Sequence, residues 1–347
     1  MQPKGADSFG CVPNDSAPCY QKEMKLIILK TVDPYINLAI EEYLFLHAEE
    51  EIFMLWQNKP SVIIGCNQNA FAEVNLSYAE EHGIHVARRI TGGGAVYHDL
   101  GNINYSYITP TPQSDTLDFA RFCEPLLLSL QALGVNASLS GRNDIEIDGK
   151  KISGNAQHRK DGRLLHHGTL LFDTDRNVLE AVLKPHRKKL ETRAIRSVSA
   201  RVTNLSHHLP APMTKEALIC HIAAYIKHTY AAKETPSPMC KEIGTLTARN
   251  ASNEWLYPEK DLLSRYTETK EERYPFGTVE LLLKMQNDRI AELSIRGDFF
   301  SLRPVTELES LLGDVRLFEA KARIETVDIG QYVCGMVNSE FLSLLQS

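Results

Sequence analysis

The sequence lacks several features that would place the chain in a specialised class of protein. No apolar run approaches the roughly 18 residues that a membrane-spanning helix needs. Residues 1–23 lack the apolar core of a signal peptide. The seven cysteines are scattered and form no Cys-x-x-Cys pair, which argues against both a disulfide framework and a zinc site. These absences favour a reducing, cytoplasmic setting and exclude a membrane partner.

An excess of positive charge is also missing. The chain has 38 Lys and Arg against 44 Asp and Glu, a formal charge of −6, which argues against nucleic acid as the main partner. Its 347 residues predict two domains, or one large domain with an appendage, and the 43% of apolar residues allows a sizeable core. Residues 1–23 are polar and unpatterned, so we expect a disordered leader there, with Met24 as the natural beginning.

The most informative stretch is residues 88–99, which read Arg-Arg-Ile-Thr-Gly-Gly-Gly-Ala-Val-Tyr-His-Asp. Three consecutive glycines indicate a main chain that a ligand can approach directly, rather than a turn selected for packing. Successive bare N–H groups form a concave nest that suits phosphate oxygens, and Arg88 and Arg89 add fixed positive charge. The stretch therefore predicts a site for a small phosphate-bearing anion. The alternative is a hairpin turn with two solvated arginines.

Further stretches extend this pattern into a family resemblance. Residues 141–157 contain Gly-Arg-Asn-Asp and Lys-Ile-Ser-Gly-Asn-Ala-Gln, and residues 166–172 read His-His-Gly-Thr-Leu-Leu-Phe. Together with residues 37–42, 88–99 and 197–204, they resemble the lipoate–protein ligases of the biotin/lipoate ligase superfamily. The matches follow the family's order across most of residues 24–205, so the resemblance is highly specific.

The resemblance implies an α+β fold in which a mixed β-sheet catalytic domain is flanked by helices and followed by a small α+β accessory domain. We expect the catalytic domain over residues 24–235, a connector over 236–275 and the accessory domain over 276–347. The pattern agrees, because strands and helices interleave without regular βαβ spacing and no G-x-G-x-x-G follows the first strand. Residues 102–108 alternate with period two, which predicts a half-buried strand. Apolar residues at helical spacing predict a helix over 119–133 and another from Asn37 to about His47, after a break at Asp33-Pro34. Residues 278–285 and 289–296 predict a hairpin across residues 286–288.

The implied activity is a two-step, ATP-dependent ligation. Lipoate or octanoate is first converted to acyl-AMP, and the acyl group then passes to a lysine of a carrier, either a lipoyl domain of a 2-oxoacid dehydrogenase or the glycine cleavage H protein. The first step brings two anions together, so it needs positive charge and fixed geometry. Lys151 is our candidate catalytic residue, because one ammonium can contact the acyl oxygen and an α-phosphate oxygen together. Lys150 is expected to face the opposite side of its strand.

The resemblance also assigns the remaining site residues. Mg²⁺ is an expected cofactor, and Asp144 is its best candidate ligand, ahead of Asp99 and Asp148. Arg88 is expected to brace the loop, and His98, His158 and His166 are expected to have structural roles. His167 is expected to contact lipoate. His167 and Thr169 are both expected to line the end of the site that holds the nucleotide. The ATP-binding set is Arg89, Gly94, Ala95, Val96, Tyr97, Asn102, Lys151 and Thr169, and the lipoate-binding set is Lys151, Thr91, Gly93 and His167.

Residues 184–201 are locally basic and allow two interpretations. They form either a solvated helix face or, as the resemblance implies for residues 190–198, a loop that folds over the adenylate and attracts an acidic acceptor. The closest rival function is an ATP-independent octanoyl or lipoyl amidotransferase with a cysteine acyl-enzyme. Its candidate nucleophiles are Cys66 and Cys123, and neither has a histidine beside it in sequence.

Overall fold

The structure is a computed structural model that describes residues 24–110, 116–184, 201–258 and 264–347. The expected leader and nearly all of the basic segment, including residues 190–198, lie outside the described residues.

The first part of the chain alternates strands and helices, and a short 3-10 helix at Leu205–His208 precedes its last long helix. In chain order the elements are β1 (Met24–Ile28), α1 (Pro34–His47), β2 (Glu51–Trp56), β3 (Ser61–Ile64), α2 (Ala70–Glu73), α3 (Leu76–Glu81), β4 (His85–Arg88), β5 (Val96–His98), β6 (Asn102–Thr109), α4 (Phe119–Ala132), β7 (Ser138–Ser140), β8 (Asp144–Ile147), β9 (Lys150–Lys160), β10 (Arg163–Leu171), α5 (Arg176–Val182), α6 (Lys215–Thr229) and β11 (Lys233–Glu234).

These strands form one large mixed sheet and one small mixed sheet. The large sheet has eight strands in the order β11-β1-β2-β6-β10-β9-β8-β7. The pairs β11/β1 and β1/β2 are parallel, and the pairs from β2 onward are antiparallel. The small sheet has the order β4-β3-β5 and leads directly into and out of the glycine loop. The expected mixed-sheet α+β architecture is confirmed.

Strand β6 corrects one expectation about burial. Its period-two pattern is present, but all eight of its residues are buried rather than half of them. The apolar side chains of Ile103, Tyr105 and Tyr107 join the main core. The polar side chains of the alternate positions are buried as well, since other elements cover that face. Alternation of apolar and polar residues indicates that a strand has two chemically different faces. It does not indicate whether the polar face is exposed to water.

The helices begin where their caps place them. Helix α1 starts at Pro34 rather than at Asn37, because the Asp33 carboxylate accepts hydrogen bonds from the Tyr35 and Ile36 N–H groups. Helix α4 packs Phe122, Leu126 and the rest of its apolar stripe into the main core, as its spacing predicts. Within the described ranges no helix is both long and apolar enough to cross a membrane.

The expected connector, residues 236–275, is more ordered than its weak pattern predicts. It contains α7 (Lys241–Asn250), α8 (Asn253–Leu256) and the strand β12 (Glu268–Tyr274). Helix α7 packs on α1, where Arg249 forms an ion pair with Glu42. These contacts join distant parts of the chain, so local periodicity could not reveal them.

The C-terminal part is a compact α+β unit with its own core. Its remaining elements are β13 (Gly277–Gln286), β14 (Arg289–Gly297), α9 (Val305–Leu312), β15 (Val315–Arg316), α10 (Leu317–Ile324) and α11 (Asn338–Gln346). Strands β12 to β15 form an antiparallel sheet in sequential order, and β13 and β14 are the hairpin expected over residues 278–296. The domain limits that we expect from the sequence remain predictions, although β12 already belongs to this sheet.

Candidate active site

Two cavities meet beside the glycine loop. The first has a mixed lining to which α1, β2 and β3 contribute the apolar side chains of Leu38, Trp56 and Ile63. The second is lined by acidic side chains of β8 as well as by apolar residues of α5. Four residues line both cavities: Ala95, Val96, Lys151 and Thr169. A ligand in one cavity can therefore contact a ligand in the other across this shared wall.

Lys151 lies in the shared wall, and the catalytic role expected of it remains a prediction. Its ammonium nitrogen is 2.8 Å from the Asp144 Oδ1 atom. The side chain lies across Gly154, where an added Cβ would meet Lys151 Nζ at 2.6 Å. The neighbouring Lys150 is exposed, as strand alternation predicts. The Lys151 ammonium therefore reaches both cavities. It can take this position because residue 154 has no side chain.

Glycine is required at positions 92 and 93 for a different reason than at position 94. The expectation that packing does not explain the three glycines is therefore corrected. An added Cβ on Gly92 would lie 2.4 Å from the carbonyl oxygen of Phe299, and one on Gly93 would lie 2.8 Å from the ring of Phe300. Gly93 also has a φ of +90° and donates its N–H to Phe299. Gly92 and Gly93 thus allow the C-terminal unit to pack closely. Gly94 has open space beside it, so its bare main chain faces the first cavity.

Both loop arginines are buried, which excludes the interpretation of two solvated arginines. Arg88 donates to the carbonyl oxygens of Gly65, Cys66 and Gln68, and it also reaches α8. It joins residues 65–68 to α8, and the bracing of the glycine loop expected of it stays a prediction. The Arg89 guanidinium lines the first cavity and donates to the carbonyl oxygens of Gly92 and Gly94. Burial lowers the pKa of Arg89 to about 10, and the ATP contact expected of this residue remains a prediction.

The other expected site residues divide between the cavities and the protein interior. Gly93, Gly94 and His167 line the first cavity, while Tyr97 and Asp144 line the second. Thr91 and Asn102 are fully buried and line neither cavity. Thr91 instead hydrogen-bonds to Arg89 and His167, and Asn102 donates to Asn104. Most of the expected site residues therefore line one of the two cavities, whereas Thr91 and Asn102 are buried behind the cavity walls.

The three histidines expected to have structural roles all contact protein groups, and one of them also lines a cavity. His166 hydrogen-bonds to Gln157, and burial lowers its pKa well below the usual range. His158 packs its ring against Phe45. His98 lines the first cavity, which its sequence position did not indicate. Its Nδ1 atom is 3.0 Å from the Asn58 amide nitrogen, and burial lowers its pKa to about 3, so the ring is neutral.

The candidate cysteine nucleophiles lie away from both cavities. Cys123 is fully buried, and burial raises its pKa to about 12. A histidine does lie near it, since His166 Nε2 is 3.7 Å from its sulfur, a neighbour that sequence spacing did not reveal. Burial also raises the pKa of the Cys66 thiol. Within the described part of the chain, no cysteine lines either cavity.

Several lining residues were missed from the sequence. Trp56 and Asn104 lie opposite each other on β2 and β6, on the polar face that alternation had assigned to solvent. Phe300 comes from the C-terminal unit, and the Arg142 guanidinium lies 4.4 Å above its ring. The alternation of residues 102–108 could have indicated Asn104. No local pattern indicates Phe300, because its position depends on how the two units pack.

A Mg²⁺ site is compatible with the second cavity. Mg²⁺ is usually held by one or two carboxylates together with substrate phosphates and water. Asp144 and Glu146 both line the cavity, so two carboxylates are available there. Asp99 instead accepts from the N–H groups of Gly101 and Asp175, and Asp148 is a turn residue with a φ of +51°. No cluster of three metal-binding side chains occurs among the residues described. Phosphate oxygens and water would complete the coordination of a Mg²⁺ held there.

The sequence matches two family models. Residues 33–227 match the lipoyl protein ligase A/B catalytic domain, and residues 264–345 match the bacterial lipoate protein ligase C-terminus. Lipoate-protein ligase LplJ of Bacillus subtilis is 39% identical over 323 residues, which cover 90% of this chain and 97% of that protein. Lipoate–protein ligase 1 of Staphylococcus aureus is 36% identical over 323 residues, which again cover 90% of this chain and 97% of that protein.

Solved structures agree. The lipoate complex of P. falciparum LipL1 is similar in fold, with a TM-score of 0.78 at 24% identity over 93% of this chain and all of that one. A bipartite lipoate protein ligase described with its E2 lipoyl domain, from Thermoplasma acidophilum, has a TM-score of 0.59 at 30% identity over 68% of this chain and 96% of that one. Lipoate-protein ligase A bound with ATP has a TM-score of 0.57 at 28% identity over 68% and 98%.

A mixed-sheet domain with a lysine between two joined cavities, followed by a small α+β unit, defines this protein as an enzyme of the ligase class. The extent of the matches then identifies its family. The chain belongs to the lipoate–protein ligases.

Proposed function

We propose that the chain is an ATP-dependent ligase that activates free lipoate, or octanoate, and attaches it to a lysine of a carrier protein. The observation that carries this proposal is the position of Lys151 in the wall shared by the two cavities. The first cavity, with its apolar side chains, suits the acyl chain, and the second, with Asp144, suits the nucleotide phosphates. The related ligase A bound with ATP supports a nucleotide substrate.

In the first step, a carboxylate oxygen of lipoate attacks the α-phosphorus of ATP. The new O–P bond forms as the bond to the β-phosphate oxygen breaks, and pyrophosphate leaves with its electron pair. Negative charge accumulates on the reacting oxygens, and the Lys151 ammonium lies where it can stabilise that charge. The bare main chain at Gly94 allows close approach of the phosphoanhydride of ATP.

Asp144 would hold Mg²⁺ together with phosphate oxygens, with Glu146 as a second carboxylate on the same strand. A bound Mg²⁺ supplies neutralising charge for the pyrophosphate leaving group. Asp144 pairs with Lys151 at 2.8 Å. A phosphate bound at the shared wall would replace this ion pair. One of its oxygens would accept from the Lys151 ammonium, and Asp144 would then be available to hold the metal.

In the second step, the ε-amine of a carrier lysine attacks the acyl carbon of lipoyl-AMP. The amide bond forms, the C–O bond to AMP breaks, and the amine loses one proton. We propose a lipoyl domain or the glycine cleavage H protein as the acceptor. The Thermoplasma relative, described with its E2 lipoyl domain, supports an acceptor of that kind.

The amidotransferase alternative needs a cysteine that reaches the acyl carbon. Cys123 is buried in the core, and burial keeps its thiol protonated by raising its pKa to about 12. Since the thiolate is the nucleophile, this side chain is poorly suited to form an acyl-enzyme. The named relatives are lipoate ligases as well.

The test is pyrophosphate release from ATP with free lipoate, in the wild type and in two neighbouring lysine variants. We expect Lys151→Ala to lower kcat by about 100-fold or more, because it removes the charge that stabilises the transition state. Lys150→Ala is the matched control, since its side chain is exposed one residue away, and it should stay within about twofold. Equal activity in both variants, or acyl transfer without ATP in the wild type, would overturn the proposal.

A further inference from the structure

A chain of buried hydrogen bonds runs behind the first cavity and ends on the glycine loop. At one end the Trp56 indole N–H donates to Ser106 Oγ at 2.9 Å, and Ser106 donates to the Glu41 carboxylate at 2.5 Å. His167 Nδ1 lies 3.0 Å from both Glu41 oxygens, and its Nε2 lies 2.9 Å from Thr91 Oγ1. We call these residues, with Arg89, the loop relay.

At its other end the loop relay holds the loop itself. Arg89 Nε donates to Thr91 Oγ1 at 2.8 Å, and Arg89 Nη2 donates to the carbonyl oxygens of Gly92 and Gly94 at 2.7 and 2.8 Å. The guanidinium therefore holds two loop peptides. Two acceptors fix the guanidinium in turn: Thr91 Oγ1 at Nε and the Ile63 carbonyl oxygen at Nη1, the latter at 3.0 Å.

The donors and acceptors along the relay are consistent with one another. An arginine N–H can only donate, so Thr91 accepts from Arg89 and can give its own hydroxyl hydrogen to His167 Nε2. His167 then carries its hydrogen on Nδ1 and donates to Glu41. At the far end, an indole N–H can only donate, so Ser106 must direct its hydroxyl hydrogen to Glu41. This arrangement leaves no relay group unpaired.

Three residues of the relay line the first cavity, and the other three lie behind it. Trp56, His167 and Arg89 line the first cavity, and the loop that Arg89 holds continues into the wall shared with the second. Thr91 and Glu41 line neither cavity, and their exposed fractions are 0% and 1%. Glu41 also places a negative charge near the buried Arg89 cation.

We propose that Thr91 and Glu41 are positioning residues that hold Arg89, and through it the glycine loop, in the shape that binds the nucleotide. This inference rests on the proposed function and assigns to Thr91 a role different from the lipoate contact that the family resemblance implies. If Thr91 contacted lipoate directly, its removal would weaken lipoate binding. If it positions the loop, its removal weakens ATP binding, although the residue lies outside the nucleotide cavity.

The test compares Thr91→Val, which keeps the branched shape and loses the hydroxyl, with Thr91→Ser, which keeps the hydroxyl. KM values for ATP and for lipoate are measured by pyrophosphate release, and unfolding is followed in urea. We expect Thr91→Val to raise the KM for ATP about tenfold, which corresponds to about 1.4 kcal/mol, and Thr91→Ser to restore it to within about threefold of the wild type. Thr247→Val, which removes a hydroxyl from α7, is the control and should change neither KM.

The outcomes separate the possibilities. A rise confined to the KM for lipoate supports direct contact and overturns the inference, as does an unchanged KM for ATP alongside lowered stability. If Thr91→Val does not fold, Glu41→Gln replaces it and is expected to raise the KM for ATP in the same way, with no change counting against the relay. Wild-type protein that releases no pyrophosphate overturns the proposed function and this inference together, whereas an active wild type with an unaffected variant overturns the inference alone.

Discussion

Gly154→Ala tests the position of the catalytic lysine without removing its charge. Gly154 lies on β9 under the Lys151 side chain, and an added Cβ would be 2.6 Å from Nζ and 2.8 Å from Cε. Because non-bonded heavy atoms separate by about 3.5 Å or more, the ammonium must move by about 1 Å. The backbone of Gly154 is not in the left-handed region, so alanine adds no backbone strain of its own.

The size of the effect follows from that displacement. A misplacement of about 1 Å at a reacting centre can lower the rate by about 100-fold. We therefore expect Gly154→Ala to lower kcat/KM for pyrophosphate release by about that factor. Stability should fall by no more than about 1 kcal/mol, because the group displaced is the far end of a flexible side chain.

The assay needs a glycine control away from the site. Gly244→Ala in α7 meets nothing within 4 Å and should leave the rate unchanged, with stability equal or slightly higher because alanine favours helix. The reasoning is refuted if Gly154→Ala keeps its rate within about threefold of the wild type. It is refuted equally if a crystal structure of the variant shows Nζ unmoved while the activity is lost.

Three further predictions address the loop, the pH dependence and the rival chemistry. Gly94→Ala should fold normally, because its Cβ meets no atom within 4 Å, yet its KM for ATP or lipoate should rise about tenfold if a ligand lies on that main chain; unchanged KM values would exclude such contact. Burial lowers the pKa of His98 from 6.5 to about 3, so the unfolded state takes up its proton first as the pH falls. The stability present above pH 6.5 should therefore decline by about 2 kcal/mol by pH 5, and urea unfolding of His98→Gln should show a correspondingly smaller decline. Cys123→Ala should keep pyrophosphate release within about threefold while losing about 1–2 kcal/mol of stability; complete loss of activity in a folded variant would favour the acyl-enzyme.

The parts of the fold that sequence predicted well are those with local causes. Helix α4 has apolar residues at helical spacing, and β13 and β14 flank a short polar turn, so each element is decided within a few residues. The start of α1 was placed too late, because its cap at Asp33 looks from sequence like a break. Helices α7 and α8 were missed because packing on distant elements stabilises them.

The site shows the same division. Lys151 was recognised from its motif, and its strand neighbour Lys150 was correctly assigned to the outside by alternation. The expectation that packing does not explain Gly92 and Gly93 was wrong, since an added Cβ there would meet Phe299 and Phe300 of the C-terminal unit. The lipoate contact expected of Gly93 stays a prediction. A glycine motif reports that something approaches the backbone, but it does not identify the approaching group.

By itself the sequence determined the candidates for the chemistry: a lysine, a carboxylate and a bare loop, each recognisable from residue type and order. The tertiary structure decided which of them meet. Strand alternation places a side chain on one face or the other, but only packing determines what covers that face. For that reason Trp56 and Phe300 line the first cavity although the sequence did not predict it. Thr91, which was expected at the ligand, is buried behind the cavity wall.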